Sequence, residues 1–109
     1  MENINKVEIR GTVGNIRVQD FEDRQAANFS VVTNYMYRGK DNQPKIETFW
    51  FNVNAWSGRH MPDDMTSIKK GSTVHVTGRM RTREYADSNG EVHKATEVVA
   101  DKVEIEDGQ

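Results

Sequence analysis

Hydrophobic and polar residues alternate along most of this sequence, and short polar segments separate the alternating runs. The first run places a hydrophobic residue or glycine at every second position from Val7 to Val13, which predicts a β-strand with one buried face. Gly11 and Gly14 indicate a sharp bend or a bulge in the second half of this strand, as the corner of a barrel requires.

Four further alternating runs predict four more strands. They cover about 27–37, 46–56, 72–85 and 92–105. A charged segment over 38–45 is typical of the tip of a long hairpin, and Asn89-Gly90 is typical of a tight turn. We therefore expect two long hairpin arms, one between the second and third strands and one between the fourth and fifth.

The segment between the third and fourth strands predicts one short helix. Pro62 suits the first helical position, and Gly71 suits the position directly after the last helical residue. Acidic residues near its start and lysines near its end complement the helix dipole. Met61, Met65 and Ile68 are spaced so that they form one apolar face.

The order of these elements is strand, strand, strand, short helix, strand, strand, with no internal repeat. This order matches the OB-fold, a five-stranded, partly open barrel that binds oligonucleotides and oligosaccharides. We therefore predict an all-β chain with a single domain over residues 1–109. Its fold would be a five-stranded OB-fold barrel with one short helix between strands 3 and 4 and two long hairpin arms.

The composition supports β-structure and predicts a small core. The chain has twelve Val, six Ile and eight Thr but no Leu, and β-branched residues pack well on sheets but lose rotamer freedom in helices. Ala, Val, Ile, Met, Phe, Trp and Gly make up 43 of the 109 residues, which is below the usual share of ~45–50%. We therefore expect further surface to be buried by oligomerisation.

Several functional classes are excluded by what the sequence lacks. The absence of Cys excludes disulfide scaffolds, cysteine zinc sites and thiol chemistry. No apolar stretch approaches the ~20 residues of a membrane span, and the N-terminus MENINKVEIR has no signal-peptide core. His60, His75 and His93 lack metal-ligand spacing, and no glycine-rich phosphate loop or nucleophile motif occurs. We expect neither catalysis nor a metal, a cofactor or a membrane partner.

The formal net charge of −2 conceals an uneven distribution. Residues 33–83 carry nine Lys or Arg and four Asp or Glu, whereas the two flanks together carry six basic and thirteen acidic residues. A basic middle between acidic flanks is compatible with a local phosphate-binding surface, because the field at a site matters more than the net charge. A solvated face with uneven charge is the alternative explanation.

Strand parity assigns an outward and an inward face to the third and fourth strands. The outward face carries Trp50, Asn52, Asn54 and Trp56 on the third strand and Arg79, Arg81, Arg83 and Tyr85 on the fourth. The face predicted to meet the core carries Phe49, Phe51, Val53 and Ala55 on the third strand and Val74, Val76, Gly78 and Met80 on the fourth.

Outward indoles together with outward arginines favour nucleic-acid binding. Every base has a π-face that stacks on an aromatic ring, for roughly 1–3 kcal/mol per base, and a guanidinium forms bidentate bonds with phosphate. Tyr37 is also expected to be exposed, because near a hairpin tip the strand has left the barrel interior. Two alternatives stay open: the aromatic face could pack against a second subunit, and the arginine row could protect a sheet edge from aggregation.

Four segments of the sequence, in their order and spacing, carry a resemblance to a known family. They are NKVEIRGTVG, AANFSVVTN, IETFWFNVNAW and KKGSTVHVTGRMRTREYADSNG. Over about 5–105 the chain resembles the bacterial single-stranded-DNA-binding proteins. The resemblance implies an OB-fold that assembles, usually as a homotetramer, and binds single-stranded DNA without sequence preference in replication, recombination and repair. It also implies a bacterial, cytoplasmic and nucleoid-associated protein.

The resemblance further implies a set of binding residues. The family's base-stacking aromatics match Tyr37, Trp50, Trp56 and Tyr85. Its phosphate-binding residues match Lys40, Arg59, Lys69, Lys70, Arg81 and Arg83, and strand parity adds Arg79. Two of the stacking positions are Tyr here where the family often has Trp, and Asn52 stands where a basic residue is common.

The family's domain is normally followed by a Gly/Pro/Gln-rich tail with an acidic, phenylalanine-capped tip that recruits partner enzymes. This sequence ends at VEIEDGQ, so tail-mediated partner enzymes are not expected for this chain. Two alternative functions stay open. One is a tailless paralogue that acts as a primosome-type protein-interaction factor, and the other is an RNA binder, because stacking alone does not read the 2′-OH.

Overall fold

Five strands form one closed barrel in the order β1-β2-β3-β5-β4. The structure is a computed structural model that describes residues 2–106. Met1 and residues 107–109, with the end of the acidic C-terminal run, lie outside the described residues. The strands are β1 (Val7–Asp20), β2 (Gln25–Arg38), β3 (Pro44–Trp56), β4 (Thr73–Ala86) and β5 (Val92–Ile105). This confirms the predicted all-β, five-stranded barrel.

The first strand is long enough to belong to both sides of the barrel. Its first half, up to Thr12, pairs with β4, and its second half pairs with β2. The register of the β1–β2 pair shifts between Val13 and Ile16, which is the kind of bulge that the glycines indicated as an alternative to a bend. Gly11 allows β2 to approach closely, since a Cβ there would lie 2.3 Å from the carbonyl oxygen of Val32.

The barrel closes between β3 and β5, the one parallel pairing in the described sheet. This contact is short and consists of Val53 opposite Val98 and Asn54 opposite Val99. The interior is filled mainly by valines, each at most 1% exposed, which are Val13, Val31, Val53, Val74, Val76 and Val98. Val53, Ala55, Val74 and Val76 are thus buried as strand parity predicted.

Both hairpins continue past the barrel as arms. The β2–β3 pairing extends to Arg38 opposite Pro44, and the β4–β5 pairing extends to Ala86 opposite Val92. The prediction that Phe49 faces the core is wrong, because this side chain is 42% exposed. The same holds for Met80, which is 38% exposed. Phe49 lies opposite the β2 position directly after the last one that pairs with β1, and Met80 lies two positions past the last β4 residue that pairs with β1, so β1 no longer flanks the sheet at either side chain.

The predicted helix is reduced to one 3-10 turn over Met65–Ser67. Its place between β3 and β4 agrees with the prediction, but Pro62 lies outside it and Gly71, although its φ is +91°, caps no α-helix. The side chain of Asp64 accepts from the backbone N–H of Thr66, and that of Gln25 accepts from Met65. Asp64 is thus the N-cap of a turn that begins at Met65 instead of Pro62, and so short a segment does not continue as an α-helix.

Gly78 provides a test of the packing between β4 and β5. A Cβ at this position would lie 2.1 Å from the carbonyl oxygen of Val99, which is backbone and cannot move aside cheaply. Gly78→Ala is therefore expected to lower the free energy of unfolding by about 1–3 kcal/mol, as overpacking typically does. Urea denaturation would measure this loss.

Gly58 is the matched control, because a Cβ there would meet no atom within 4 Å. Gly58→Ala is expected to leave the free energy of unfolding unchanged or slightly higher. Equal stability of the two variants would contradict the close approach of the strands at Gly78.

Candidate nucleic-acid interface

The outward faces of β3 and β4 belong to one continuous surface, because β5 lies between these two strands in the sheet. Trp50 and Trp56 are 62% and 45% exposed on this surface. Arg81 and Arg83 lie on the outward face of β4, opposite Glu97 and Ala95 of β5. The structure therefore places the predicted indoles and arginines on the same side of the sheet.

A groove of about 770 Å³ crosses this surface and is lined by residues from all five strands. It brings together three of the predicted binding residues, Trp56, Arg81 and Arg83. Polar amides line much of it, namely those of Asn15, Asn28, Asn52 and Asn54. The exposed indole of Trp56 offers a flat apolar surface beside these hydrogen-bonding groups.

Trp56 is held in place by two residues that the sequence analysis did not identify. The guanidinium of Arg24 lies over its ring at 4.1 Å from the centroid. The ring of Phe21 is 5.6 Å away at an interplanar angle of 39°. Because Arg24 covers one face of the indole, a base would stack on the opposite face. Phe21 is the only aromatic residue in the polar turn between β1 and β2, and this isolated position was the one sequence feature that could have pointed to its contact with Trp56.

A chain of hydrogen bonds crosses the floor of the groove from β2 to β4, and we call it the polar belt. Its members are Asn28, Asn54, Glu97 and Arg81. The amide of Asn28 donates to Asn54, and the amide of Asn54 donates to Glu97 at 2.5 Å. Nε and Nη2 of Arg81 donate to the other carboxylate oxygen at 2.9 and 2.5 Å. The belt thus links β2, β3, β5 and β4, which are four of the five strands that line the groove.

Glu97 is only 5% exposed but remains charged within the polar belt. Burial by itself would raise the pKa of this carboxyl. The hydrogen bonds from Arg81 and Asn54, together with the positive charges of Arg81 and Arg83, outweigh burial and hold the pKa below its ordinary value. The groove therefore contains an ionised acid among its arginines, which the sequence analysis did not predict.

The other predicted stacking residues lie on or toward the arms. The ring of Trp50 rests against β1, since a Cβ on Gly14 would lie 2.6 Å from it. Tyr37 is 44% exposed and stacks on Tyr35, with ring centroids 6.1 Å apart. Tyr85 is 46% exposed on the other arm. None of these three predicted stacking residues lines the groove itself.

The second arm is braced near its tip. The ring of Tyr85 lies 5.5 Å from that of His93, which is its partner across the hairpin. A hydrogen bond from His93 and backbone N–H groups of Glu91 and Asn89 hold the pKa of the Asp87 carboxyl below its ordinary value. These contacts fix the turn that presents Tyr85 to solvent.

The remaining predicted phosphate-binding residues are exposed but scattered. Lys40 lies in the turn at the tip of the β2–β3 arm, and Arg59 follows β3. Lys69 and Lys70 follow the 3-10 turn. Arg79 lies 3.6 Å from Asp101, and both side chains are more than half exposed. These five residues do not line the groove, so they would meet only a strand that continues beyond it.

Two negative findings concern the described part of the chain, residues 2–106. No group of three or more His, Asp or Glu side chains is arranged there to hold a metal ion. That part of the chain also forms no helix with the length and apolar character that a membrane span requires.

Known proteins share both the sequence pattern and the fold. Residues 4–106 match the model of the Single-strand binding protein family. The chain belongs to this family. Members of the family are binding proteins rather than enzymes, and so is this chain. The resemblance carried by the four sequence segments is thereby confirmed.

Two relatives in the family have similar sequences over most of this chain. The mitochondrial single-stranded DNA-binding protein of Danio rerio is 31% identical, over 94% of this chain and 75% of that protein. Single-stranded DNA-binding protein 1 of Chlorobaculum tepidum is 28% identical, over 94% of this chain and 64% of that protein.

Two solved structures share the fold at lower sequence identity. The Plasmodium falciparum SSB, in complex with single-stranded DNA, has a TM-score of 0.73 at 23% identity and covers 96% of this chain and 95% of its own. The small single-stranded DNA-binding protein of Streptomyces coelicolor has a TM-score of 0.70 at 20% identity, with the same coverage of both chains. These similarities confirm the OB-fold barrel.

The contact between Arg24 and Trp56 predicts how accessible the indole is in the free protein. In a Trp50→Phe background, Trp56 is the only tryptophan. Arg24→Ala is expected to uncover a ring face and to increase quenching of its fluorescence by acrylamide. It is also expected to lower the free energy of unfolding by about 0.5–1 kcal/mol, the value of an exposed cation–π contact.

Arg17→Ala provides the control, because Arg17 also lines the groove but is not the arginine that covers the indole. Acrylamide quenching that is unchanged by Arg24→Ala, or changed equally by Arg17→Ala, would contradict the assigned contact.

Proposed function

We propose that this chain binds single-stranded DNA without sequence preference, in the groove and along the two arms. The observation that carries the proposal is the placement of exposed tryptophans and arginines on one continuous face of the sheet. The family match and the single-stranded DNA-binding relatives support it. They favour single-stranded DNA over the protein-interaction and RNA-binding alternatives.

Base stacking supplies the sequence-tolerant part of the binding. We assign this role to Tyr37, Trp50, Trp56 and Tyr85, which are each between 44% and 62% exposed. Duplex DNA hides its bases in the stack, so these rings would select single strands. Trp56 would take the base in the groove, and the other three rings would take bases along the arms.

Phosphate contacts position the strand without reading its sequence. We assign them to Lys40, Arg59, Lys69, Lys70, Arg79, Arg81 and Arg83. Only the last two lie in the groove, so the scattered residues would contact a strand that leaves the groove and follows the arms. This arrangement fits a protein that covers a length of DNA rather than one short site.

We further propose that the domain over residues 1–109 works as a homo-oligomer, with a tetramer as the expected state. Support comes from the small share of apolar residues and from exposed Met36, Ile46 and Val92, each at least 65% exposed. The expected cellular role is the protection of single strands during replication, recombination and repair, in the cytoplasm with the nucleoid.

A titration of tryptophan fluorescence with a thymidine oligomer tests the stacking assignment. Strong quenching is expected with the oligomer and little with a duplex. Trp50→Ala and Trp56→Ala are each expected to weaken binding by about 1–3 kcal/mol, the value of one stacked base.

Ile4→Ala is a suitable control, because it removes exposed apolar surface outside the groove lining without removing an aromatic ring. A second titration with an RNA oligomer of equal length compares the affinity for RNA with the affinity for single-stranded DNA. If the thymidine oligomer still bound fully after loss of both tryptophans, the aromatic face would serve a protein partner instead.

The dependence of affinity on salt tests the phosphate contacts outside the groove. Each phosphate contact on a single strand contributes about 0.7 to the slope of log affinity against log salt. Lys40→Ala is therefore expected to reduce that slope by about 0.7. Lys102→Ala serves as the control, because Lys102 lies outside the groove lining and 3.5 Å from Glu104. If the slopes for Lys40→Ala and the unaltered chain were equal, Lys40 would make no phosphate contact.

A further inference from the structure

One acidic side chain lies in the middle of the proposed DNA-binding groove. Glu97 lines the groove, and its side chain is 6% exposed while those of Arg81 and Arg83 are 51% and 57% exposed. The carboxylate therefore lies beneath the two guanidiniums rather than beside them in solvent. A phosphate that reaches this site would meet the arginines first.

The contacts of Glu97 leave each guanidinium only partly used. The carboxylate oxygen Oε1 accepts from Nε and Nη2 of Arg81 and lies 3.4 Å from Nε of Arg83. A guanidinium has five N–H donors, so both arginines keep donors for a ligand on their exposed side. The second oxygen of Glu97 is occupied by Asn54, which fixes the orientation of the carboxylate.

The charge of this cluster is smaller than its arginine count indicates. Two guanidiniums and one carboxylate have a net charge of +1, and the carboxylate is ionised because the polar belt holds its pKa low. Removing a buried carboxylate from paired arginines would leave their full charge facing the groove.

We propose that Glu97 is the positioning residue of the groove arginines, which it aims at bound phosphates while cancelling one of their two charges. Arg81 and Arg83 together then neutralise about one phosphate instead of two. Binding in the groove depends correspondingly less on salt and more on stacking. This inference rests on the proposed binding of single-stranded DNA.

Glu97→Gln tests the inference, because the amide keeps the size of the side chain but removes its charge. The slope of log affinity against log salt for a thymidine oligomer is expected to become steeper by about 0.7, one further phosphate contact on a single strand. Over a tenfold rise in salt, the variant would lose about fivefold more affinity than the unaltered chain. If Glu97 had only a structural role, Glu97→Gln would leave the slope unchanged. That result would overturn the inference.

Glu84→Gln is the matched control for this variant. Glu84 is an exposed acid on the opposite face of β4, paired with Lys94, so its loss changes the formal charge equally without freeing Arg81 or Arg83. Its slope is expected to match that of the unaltered chain. An equal change in both variants would mean that only the overall charge matters, and this too would overturn the inference.

Ala95→Glu gives an independent test that keeps Glu97 and the polar belt intact. Ala95 is the cross-strand partner of Arg83 and lines the groove, so a carboxylate there would pair with the second arginine. The slope is expected to become shallower by about 0.7. Thr96→Glu adds the same charge on the other face, opposite Thr82, and is expected to have no such effect.

The outcomes separate the inference from the proposed function. If Glu97→Gln does not fold, as judged by circular dichroism, the comparison of Ala95→Glu with Thr96→Glu decides. Binding by the unaltered chain with no difference between those two variants would overturn the inference alone. Failure of the unaltered chain to bind the thymidine oligomer would overturn both.

Discussion

The short parallel contact between β3 and β5 is the constraint on which the groove depends. Only two residue pairs form it, yet it places β5 between β3 and β4 and joins their outward faces. Without this contact the two hairpins would be joined only through β1, and the tryptophans of β3 and the arginines of β4 would be toward opposite ends of an open sheet. Immediately beside it, Asn54 donates to Glu97, so the polar belt strengthens the barrel where its backbone pairing is shortest.

The same contact determines where the barrel ends and the arms begin. Inside the barrel, alternation gives each strand a buried face, and valines fill it. Beyond the barrel both faces of a hairpin meet solvent, so aromatic residues of either parity become exposed. Tyr37, which alternation would place on the buried face, is exposed for this reason, whereas Trp50 is exposed on the outward face, where its ring rests against β1.

Sequence alternation was sufficient to predict the five strands, the two arms and the outward direction of Trp50, Trp56 and Arg81. It was insufficient where the outcome depends on neighbours that are distant in sequence. Glu97 is 16 residues from Arg81 and 43 from Asn54, so no local pattern marks it as a buried acid. The helix was overpredicted for the same reason, because Gln25 of β2 takes the backbone N–H of Met65.

Several side chains of the groove are already ordered in the folded chain, so their conformational entropy is lost on folding and not on binding. Arg24 holds Trp56, and Glu97 holds Arg81, before any ligand arrives. Rotamer-rich side chains that are immobilised only on binding cost about 0.5–1.5 kcal/mol each, so fixing them beforehand preserves affinity. The cancelled charge has the opposite effect, because it weakens the attraction for phosphate. In the proposed binding mode, stacking at roughly 1–3 kcal/mol per base is the contribution that salt affects least.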